Sequence, residues 1–290
     1  MSKDMVDAEA VTGLKGFYFR ISPRIKGTKA GIHKSPYKGI SPDFLEYKEY
    51  SQGDELKHID WRLYGRLDRL YVKKFEDEVN VKWYILLDRS ESMNYGPNGR
   101  TKHDYAVSLS ATLTYLLLQQ GDAVGIADFY DNNINIILPK AGTKNINQVL
   151  ERLARIKPAG KTNLKEPILR AVEKSGGDAV LIVVSDFLTD LNSVEESFKF
   201  LRAYGKEAIA FHVLDQTEID FNFDGSIEFE DMEDKTKVLI ETEDIKNAYR
   251  KRISDFIHKL KSICLDNGSR YVLSPTNTPI KDTLVQIAER

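Results

Sequence analysis

The sequence has very little cysteine, no long apolar run and no excess of charge of either sign. Its single cysteine, Cys264, excludes an intramolecular disulfide and any metal cluster built from several thiolates. No stretch approaches the roughly 18 consecutive apolar residues that a membrane-spanning helix needs. The first ten residues also lack the apolar core of a secretory signal. We therefore expect a cytoplasmic protein without a membrane span.

The remaining composition is that of an ordinary globular protein. The 290 residues are 41% hydrophobic and 30% charged, which is enough for one large core or two modest ones. Basic and acidic residues nearly balance, 42 against 44, so a net charge of -2 gives no overall attraction for nucleic acid. We expect no nucleic-acid partner. The basic stretch 20–38 fits a solvated loop better than a contact with nucleic acid or an acidic protein.

From residue 81 onward, apolar runs typical of buried strands alternate with segments of helical periodicity. The predicted strands are 81–87, 123–129, 134–138, 179–184, 208–214 and 271–273. The predicted helices are 101–120, 145–155, 164–175, 193–204, 244–266 and 280–289. A short hairpin is expected between 227 and 240. This alternation predicts an α/β fold, a doubly wound, mostly parallel, Rossmann-like sheet with helices on both faces.

Residues 1–79 differ from the rest of the chain in their pattern of apolar and polar residues. Helical periodicity is weak there, with one short helix expected at 5–15 and short strands at 17–21, 44–50 and 70–75. We therefore predict two parts: a mostly β N-terminal segment, 1–79, packed on a main α/β domain, 80–290.

Three oxygen-bearing side chains follow the first buried strand. The apolar run 81–87 ends in Asp88, Ser90 and Ser92, at alternate positions. If the chain bends there, all three converge at the carboxyl edge of the sheet, where open α/β sheets bind their ligands. One carboxylate with two hydroxyls is a hard-oxygen set that suits Mg²⁺ or Mn²⁺, with Ca²⁺ as a further candidate, and suits zinc poorly.

Two other segments bring oxygens to the same edge. The strand 179–184 ends in Ser185 and Asp186, and the glycine-containing loop before helix 164–175 carries Thr162. Each residue also has a simpler explanation, because Asp, Ser and Thr are common in turns and as helix N-caps. Their occurrence together, each at the end of the right element, favours a metal site.

The pattern Asp88-x-Ser90-x-Ser92, followed by Thr162 and Asp186, resembles the metal-ion-dependent adhesion site of von Willebrand factor A domains. The resemblance implies that the two serines and the threonine ligate one divalent cation directly or through water, while the aspartates often act through water. It also implies an open position that receives a carboxylate from a protein partner. Many A domains have glycine where this chain has Glu91, whose extra carboxylate would either attract the cation or repel an acidic partner.

A longer resemblance covers nearly the whole chain from about residue 30 to 290. The stretches 50–61 and 71–78, with Arg66 between them, are similar to the bacterial family called domain of unknown function fifty-eight. The similarity continues in Lys102, Tyr105, Ala106 and the stretches 121–125, 212–215 and 229–231. Members of that family are typically encoded beside MoxR-type AAA+ ATPases. The resemblance therefore implies a non-catalytic adaptor in a chaperone-like, ATPase-dependent system.

A second group of residues, Asp54, Asp60, Trp61 and Arg66, carries no recognised chemistry. One interpretation is an Asp–Arg pair and a tryptophan that dock the N-terminal segment on the A-type domain. The other is a surface that contacts the protein partner, together with Glu91. The sequence leaves both open.

An enzymatic interpretation is the alternative to a binding module. It is Mg²⁺-dependent, phosphatase-like phosphoryl transfer, with Asp88 as nucleophile and Asp186 holding the cation. Such chemistry calls for a second acid two residues after the nucleophile, where this chain has Ser90. It also calls for a phosphate-binding lysine, for which Lys161 is the candidate. We therefore predict a divalent-cation-dependent protein-binding module and no enzyme.

Overall fold

The chain divides into two compact units. The structure, a computed structural model, describes residues 5–19, 44–51, 56, 59–75, 81–97, 99–175, 179–221, 226–230 and 237–289. Residues 1–22 and 81–290 form the larger unit, and residues 23–80 form the smaller one. This division differs from the predicted one, 1–79 and 80–290, because residues at the N-terminus belong to the larger unit.

The described elements follow the chain in a largely alternating order. The helices are α1 (Ala8–Gly13), α2 (Trp61–Leu67), α3 (Lys102–Gln119), α4 (Thr143–Leu153), α5 (Lys165–Ser175), α6 (Leu191–Ala203), α7 (Gln216–Asp220), α8 (Thr242–Asp266) and α9 (Ile280–Val285). The strands are β1 (Tyr18–Phe19), β2 (Phe44–Glu49), β3 (Tyr71–Phe75), β4 (Lys82–Asp88), β5 (Ala123–Tyr130), β6 (Asn133–Lys140), β7 (Ala179–Ser185), β8 (Glu207–Leu214), β9 (Ser226–Glu230), β10 (Lys237–Glu241), β11 (Arg270–Pro275) and β12 (Ala288–Glu289).

A six-stranded sheet forms the centre of the larger unit, in the order β11-β8-β7-β4-β5-β6. Neighbouring strands are parallel except β5 and β6, which form an antiparallel hairpin at one edge. The predicted α/β class and the mostly parallel sheet are confirmed. After β5 and β6 on one side of β4, the chain continues through α4 and α5 to β7 on the other side. Helix α4 packs on one face of the sheet and α5 on the other, as a doubly wound sheet requires.

Strand β4 lies at the middle of the sheet because both of its faces are apolar. Trp83, Ile85 and Leu87 point into one buried cluster, which α1, α3, α4 and α9 complete. Tyr84 and Leu86 point into the other, which α5, α6 and α8 complete. Burying each such side chain contributes about 1.5–3 kcal/mol. A strand with this composition is stable only when covered on both sides, so its polar end must lie at the sheet edge.

The last predicted helix, 280–289, is too long. The helix α9 ends at Val285, and Ala288 and Glu289 form β12 instead. β12 pairs antiparallel with β1, so that Tyr18 faces Glu289 and Phe19 faces Ala288. Periodicity within 280–289 could not reveal this strand, because its partner lies near the other end of the chain.

The N-terminal helix α1 packs on the larger unit. Asp7 caps it by accepting a hydrogen bond from the backbone N–H of Ala10 at 2.8 Å. The backbone N–H of Asp7 donates to the Thr112 hydroxyl on α3 at 2.9 Å. Ala10 and Leu14 are buried in the same cluster as Ile85. These contacts explain why residues 5–19 do not belong with the smaller unit.

The smaller unit contains an antiparallel hairpin and a short helix. β2 pairs with β3, and Ile59 adds an isolated bridge to Val72. The two strands were predicted, whereas the helix α2 was not. Its signal is Asp60, which accepts hydrogen bonds from the backbone N–H groups of Arg62 and Leu63 and therefore acts as an N-cap.

Among the helices of the described residues, none is long and apolar enough to cross a membrane.

Asp122 joins the amino ends of β4 and β5, far along the strands from Asp88. Its carboxylate accepts hydrogen bonds from the indole N–H of Trp83 at 2.9 Å and from the backbone N–H of Val81 at 3.1 Å, both buried. We expect Asp122→Ala to lower the free energy of unfolding by about 2–4 kcal/mol, because two buried donors lose their acceptor. Urea denaturation followed by tryptophan fluorescence measures the loss. A change below about 0.5 kcal/mol would contradict this account of the strand ends.

Candidate metal centre

Two adjacent parallel strands end at the predicted site. Asp88 is the last residue of β4, and Ser185 is the last residue of its neighbour β7. Asp186 follows directly. Asp88 and Asp186 are both fully buried. The strand ends thus place two carboxylates at one point of the carboxyl edge, as the sequence predicted.

The three predicted hydroxyls lie next to one another at this point. The Oγ atoms of Ser90 and Ser92 are 3.0 Å apart, and Thr162 Oγ1 lies 3.0 Å from Ser90 Oγ. In an octahedral Mg²⁺ site with metal–oxygen distances of about 2.1 Å, neighbouring ligand oxygens are about 3.0 Å apart. The three hydroxyls are hydrogen-bonded to one another at these distances, and the same spacing would let them occupy neighbouring corners of such an octahedron.

The carboxylate of Asp88 is held by hydrogen bonds on both oxygens. Oδ1 accepts from the backbone N–H of Ser90 at 2.8 Å. Oδ2 accepts from Ser185 Oγ at 2.6 Å and from Thr162 Oγ1 at 3.1 Å. Ser185 itself accepts from the backbone N–H of Phe187 at 2.8 Å. The sequence noted Ser185 at the strand end but gave it no role. Its position shows that it orients Asp88.

Asp186 has a partner that sequence reasoning missed. The ammonium of Lys102, the first residue of α3, donates to Asp186 Oδ2 at 2.8 Å and to Glu218 Oε1 at 2.7 Å. Asp186 Oδ1 accepts from the backbone N–H of Leu188 at 3.1 Å. In the sequence, Lys102 was only one of several residues that carry the resemblance to the family. Nothing in its local pattern linked it to a residue 84 positions away.

The two aspartates differ in their electrostatics. Burial, followed by the negative charge of Asp186, raises the pKa of Asp88 to about 7. Burial alone would also raise the pKa of Asp186, but the charge and hydrogen bond of Lys102 outweigh it and hold that pKa below its usual value. Asp186 is therefore the fixed negative charge, and Asp88 is the group that gains most from a nearby cation.

The loop with Thr162 is fastened to the loop with Ser90 by backbone hydrogen bonds. Ala159 donates to the carbonyl of Arg89 at 2.6 Å, and Glu91 donates to the carbonyl of Gly160 at 2.9 Å. Gly160 has φ 67°, in the left-handed region that favours glycine. Its close approach to its neighbours leaves no room for a side chain.

We expect Gly160→Ala to weaken the binding of a divalent cation about tenfold, because it displaces Thr162. A Cβ atom here would overlap the Asp131 carboxylate and lie 2.7 Å from Tyr130 Cδ2, in addition to the strained φ. Gly142→Ala is the matched control, since Gly142 also has a positive φ of 91° but open space around it. Titration of both variants with Mn²⁺ makes the comparison. Equal affinities in both would contradict the positioning role of Gly160.

The donor set fits a hard divalent cation. Three hydroxyl and two carboxylate groups meet at the site, and Ser92 and Thr162 are the most exposed of these five residues, at 8% and 7%. No cluster of three His, Cys, Asp or Glu side chains suited to a metal occurs in the part of the chain that the structure describes. The site therefore suits Mg²⁺ or Mn²⁺ with bound water better than zinc.

The residues predicted to face a partner are divided between the larger and the smaller unit. Glu91 begins a 3₁₀ helix, Glu91–Asn94, beside the hydroxyls, and is half-buried. In the smaller unit, Asp60 caps α2 and accepts from Tyr47 Oη at 2.9 Å, while Trp61 is 65% exposed and lies edge-on to Tyr64. Arg66 is exposed on the same helix. Asp54 lies outside the described residues.

The larger unit, with its mostly parallel six-stranded sheet flanked by helices, has a von Willebrand A-type fold. The chain belongs to the family described as "Protein of unknown function DUF58", whose profile matches residues 46–259. It is 25% identical over 237 residues to Uncharacterized protein Rv1480 of Mycobacterium tuberculosis, covering 79% of this chain and 73% of that protein.

Solved structures show the same fold at low sequence identity. The conserved hypothetical protein BatB from Bacteroides thetaiotaomicron is 16% identical, with a TM-score of 0.50 over 71% of this chain and 96% of that chain. An aerotolerance-related membrane protein from Bacteroides fragilis is also 16% identical, with a TM-score of 0.51 over 72% of this chain and 98% of that one. At this identity the similarities concern the fold alone.

Proposed function

We propose that this chain is a divalent-cation-dependent protein-binding module. The observation that carries the proposal is the convergence of Ser90, Ser92 and Thr162 on one point beside two buried aspartates, with hydroxyl oxygens 3.0 Å apart. The A-type fold supports a role in protein interaction, since the family-like site lies at the ligand-binding edge of the sheet.

Each residue would have a distinct part in this role. Ser90, Ser92 and Thr162 would hold Mg²⁺ or Mn²⁺, or alternatively Ca²⁺, and Asp88 would supply the nearest negative charge. A bound cation would offer a free coordination position to a carboxylate of the partner protein. Exposed side chains next to site residues include Lys161, which precedes Thr162, and Leu188, whose backbone N–H donates to Asp186, and these would contact residues next to that carboxylate.

The partner we propose is a MoxR-type AAA+ ATPase, with this chain as its non-catalytic adaptor in a chaperone-like system. The support is membership of this family, together with the association with MoxR-type ATPases that the resemblance described above implies. An ATP-dependent partner also fits the cytoplasmic setting that the sequence favours. Trp61 and Arg66, exposed in the smaller unit, form a second candidate surface for this partner, and Glu91 is a separate candidate contact in the larger unit.

Binding of the purified ATPase to the immobilised chain, in Mg²⁺ and in EDTA, tests the proposal. We expect binding in Mg²⁺ to be at least tenfold tighter than in EDTA, and Thr162→Ala to remove that difference. Thr12→Ala is the matched control, because Thr12 is an exposed threonine on α1, remote from the site in sequence. Binding that ignores both EDTA and Thr162→Ala would remove the metal site from the mechanism.

Phosphoryl transfer by Asp88 is the enzymatic alternative. Both oxygens of Asp88 already accept hydrogen bonds, which favours a fixed supporting role over nucleophilic attack. Hydrolysis of p-nitrophenyl phosphate and of ATP, measured with Mg²⁺, separates the two functions. We expect no turnover above that of Asp88→Ala. A cation-dependent rate that Asp88→Ala abolishes would establish the enzyme instead.

A further inference from the structure

A buried positive charge stands directly beside the candidate metal centre. The Lys102 ammonium has no solvent exposure and bridges two carboxylates, Asp186 at 2.8 Å and Glu218 at 2.7 Å. The ring of Tyr95 lies 5.8 Å from it. A lysine is rarely buried to this extent unless its charge is paired, so the carboxylates are needed to keep it there.

The position of Lys102 in its helix points to a role outside the helix. It is the first residue of α3, where the positive end of the helix dipole disfavours a cation. Thr101 and Asp104 already complete a capping box there, and the backbone N–H of Lys102 donates to the carbonyl of Tyr95 at 2.8 Å. The ammonium therefore contributes nothing to the start of α3 that these groups do not supply.

The second carboxylate, Glu218, is fixed as firmly as the first. It lies on α7, and its other oxygen accepts from the backbone N–H of Asp215 at 2.7 Å in a capping box. Tyr95 Oη and Thr217 Oγ1 are 3.0 Å apart and join the same segments. Lys102 thus has little freedom to move away from Asp186.

We propose that Lys102 is a built-in counter-charge that offsets Asp186 and keeps the candidate metal centre weak for free divalent cations. This inference rests on the proposed function and adds to it a means of regulation. With Asp186 Oδ2 engaged by Lys102, Asp88 is the remaining uncompensated carboxylate of the site. A cation is then retained firmly only when a partner carboxylate adds the missing negative charge.

The physical basis is the dependence of cation affinity on the charge of the site. Affinity for hard cations rises with the number of carboxylates that face them. A fixed ammonium a few ångströms away repels a divalent cation through an environment that screens poorly. Removal of that ammonium takes away this repulsion and frees Asp186 Oδ2 for direct ligation of the cation.

Titration with Mn²⁺ by calorimetry, using wild type, Lys102→Met and Lys199→Met, tests the proposal. Methionine keeps the length of the side chain without its charge, and Lys199 is an exposed lysine of α6 paired with Glu195. We expect Lys102→Met to bind Mn²⁺ at least tenfold more tightly than wild type, and Lys199→Met to match wild type. In EDTA, we expect Lys102→Met to unfold about 5–10 °C lower, because two buried carboxylates lose their partner.

A second variant covers the case in which Lys102→Met does not fold. Lys102→Met/Glu218→Gln removes the ammonium together with one of the two carboxylates, so only Asp186 is left unpaired. The same gain in Mn²⁺ affinity is expected, with a smaller loss of stability. A gain that Asp88→Ala abolishes in the same background supports the inference.

Failure of the inference can be told apart from failure of the proposed function. If wild type binds Mn²⁺ through Asp88 and the lysine variants bind no more tightly, the counter-charge role is overturned and the metal site stands. If neither wild type nor the variants bind Mn²⁺, both are overturned. If only the lysine variants bind, the counter-charge role is supported in its strongest form.

Discussion

Asp88→Ala is expected to abolish the stabilisation that Mg²⁺ or Mn²⁺ gives to the folded chain. A cation that binds only the folded state stabilises it by RT ln(1 + [L]/Kd), which is about 2.7 kcal/mol at 100 times Kd. For a chain of this size we expect a rise in Tm of about 5–10 °C for wild type. Asp88 accepts hydrogen bonds from neutral donors, one of them Thr162, whereas Asp186 is paired with the Lys102 ammonium, so the loss of Asp88 removes the main electrostatic attraction for the cation.

Thermal unfolding in EDTA, Mg²⁺, Mn²⁺ and Ca²⁺ makes this measurement and also ranks the cations. Asp255→Ala serves as the control, because Asp255 is an exposed aspartate on α8. The account predicts the same cation response for this control as for wild type. A cation-dependent rise in Tm that persists in Asp88→Ala would show that the cation binds somewhere else.

Asp128→Ala is expected to cause the largest loss of stability among the variants considered. The Asp128 side chain is fully buried on β5 and accepts two hydrogen bonds from Arg152, from Nε at 2.6 Å and from Nη2 at 2.8 Å. Arg89 Nη1 lies 3.5 Å from it, and the Arg89 guanidinium stacks over Tyr130 at 4.3 Å. Removal of one partner from a buried pair costs about 3–5 kcal/mol, and because Arg152 is 31% exposed we expect a loss near the lower end of that range.

The position of Arg89 gives Asp128→Ala a second expected effect. Arg89 lies between Asp88 and Ser90, and its carbonyl accepts the hydrogen bond that fastens the Thr162 loop. We therefore expect a Tm lowered by about 6–15 °C together with weaker Mn²⁺ binding. Glu151→Ala, an exposed neighbour of Arg152, should change neither. A loss of less than about 1 kcal/mol for Asp128→Ala would show that the two arginines are solvated well enough without it.

The sequence could predict the site because its residues lie at the ends of strands and helices that the sequence pattern identifies. Asp88 and Asp186 each follow an apolar run that only a covered strand explains, and parallel strands bring such ends together. Thr162 could be added because a glycine turn precedes a helix there. The metal-binding role of these residues stays a prediction, whereas their convergence is a feature of the fold.

Other parts of the site depend on contacts that local patterns do not encode. Lys102 begins a helix, where a lysine ordinarily points to solvent, and only the tertiary fold brings it to Asp186 and Glu218. The strand β12 was predicted as helix, because two residues carry too little periodicity to show pairing with β1. The boundary at residue 79 separated residues 5–19 from the core in which Ala10 and Leu14 are buried.

The central claim is that Ser90, Ser92 and Thr162 hold one divalent cation beside Asp88. The most direct test is electron paramagnetic resonance of Mn²⁺ mixed with wild type, Ser92→Ala and Thr162→Ala, in which bound Mn²⁺ disappears from the free-ion signal. The account predicts one Mn²⁺ per wild-type chain, displaced by excess Mg²⁺, and no binding in either variant. Mn²⁺ that stays free with both wild type and Lys102→Met, or that binds equally to wild type, Ser92→Ala and Thr162→Ala, would contradict it.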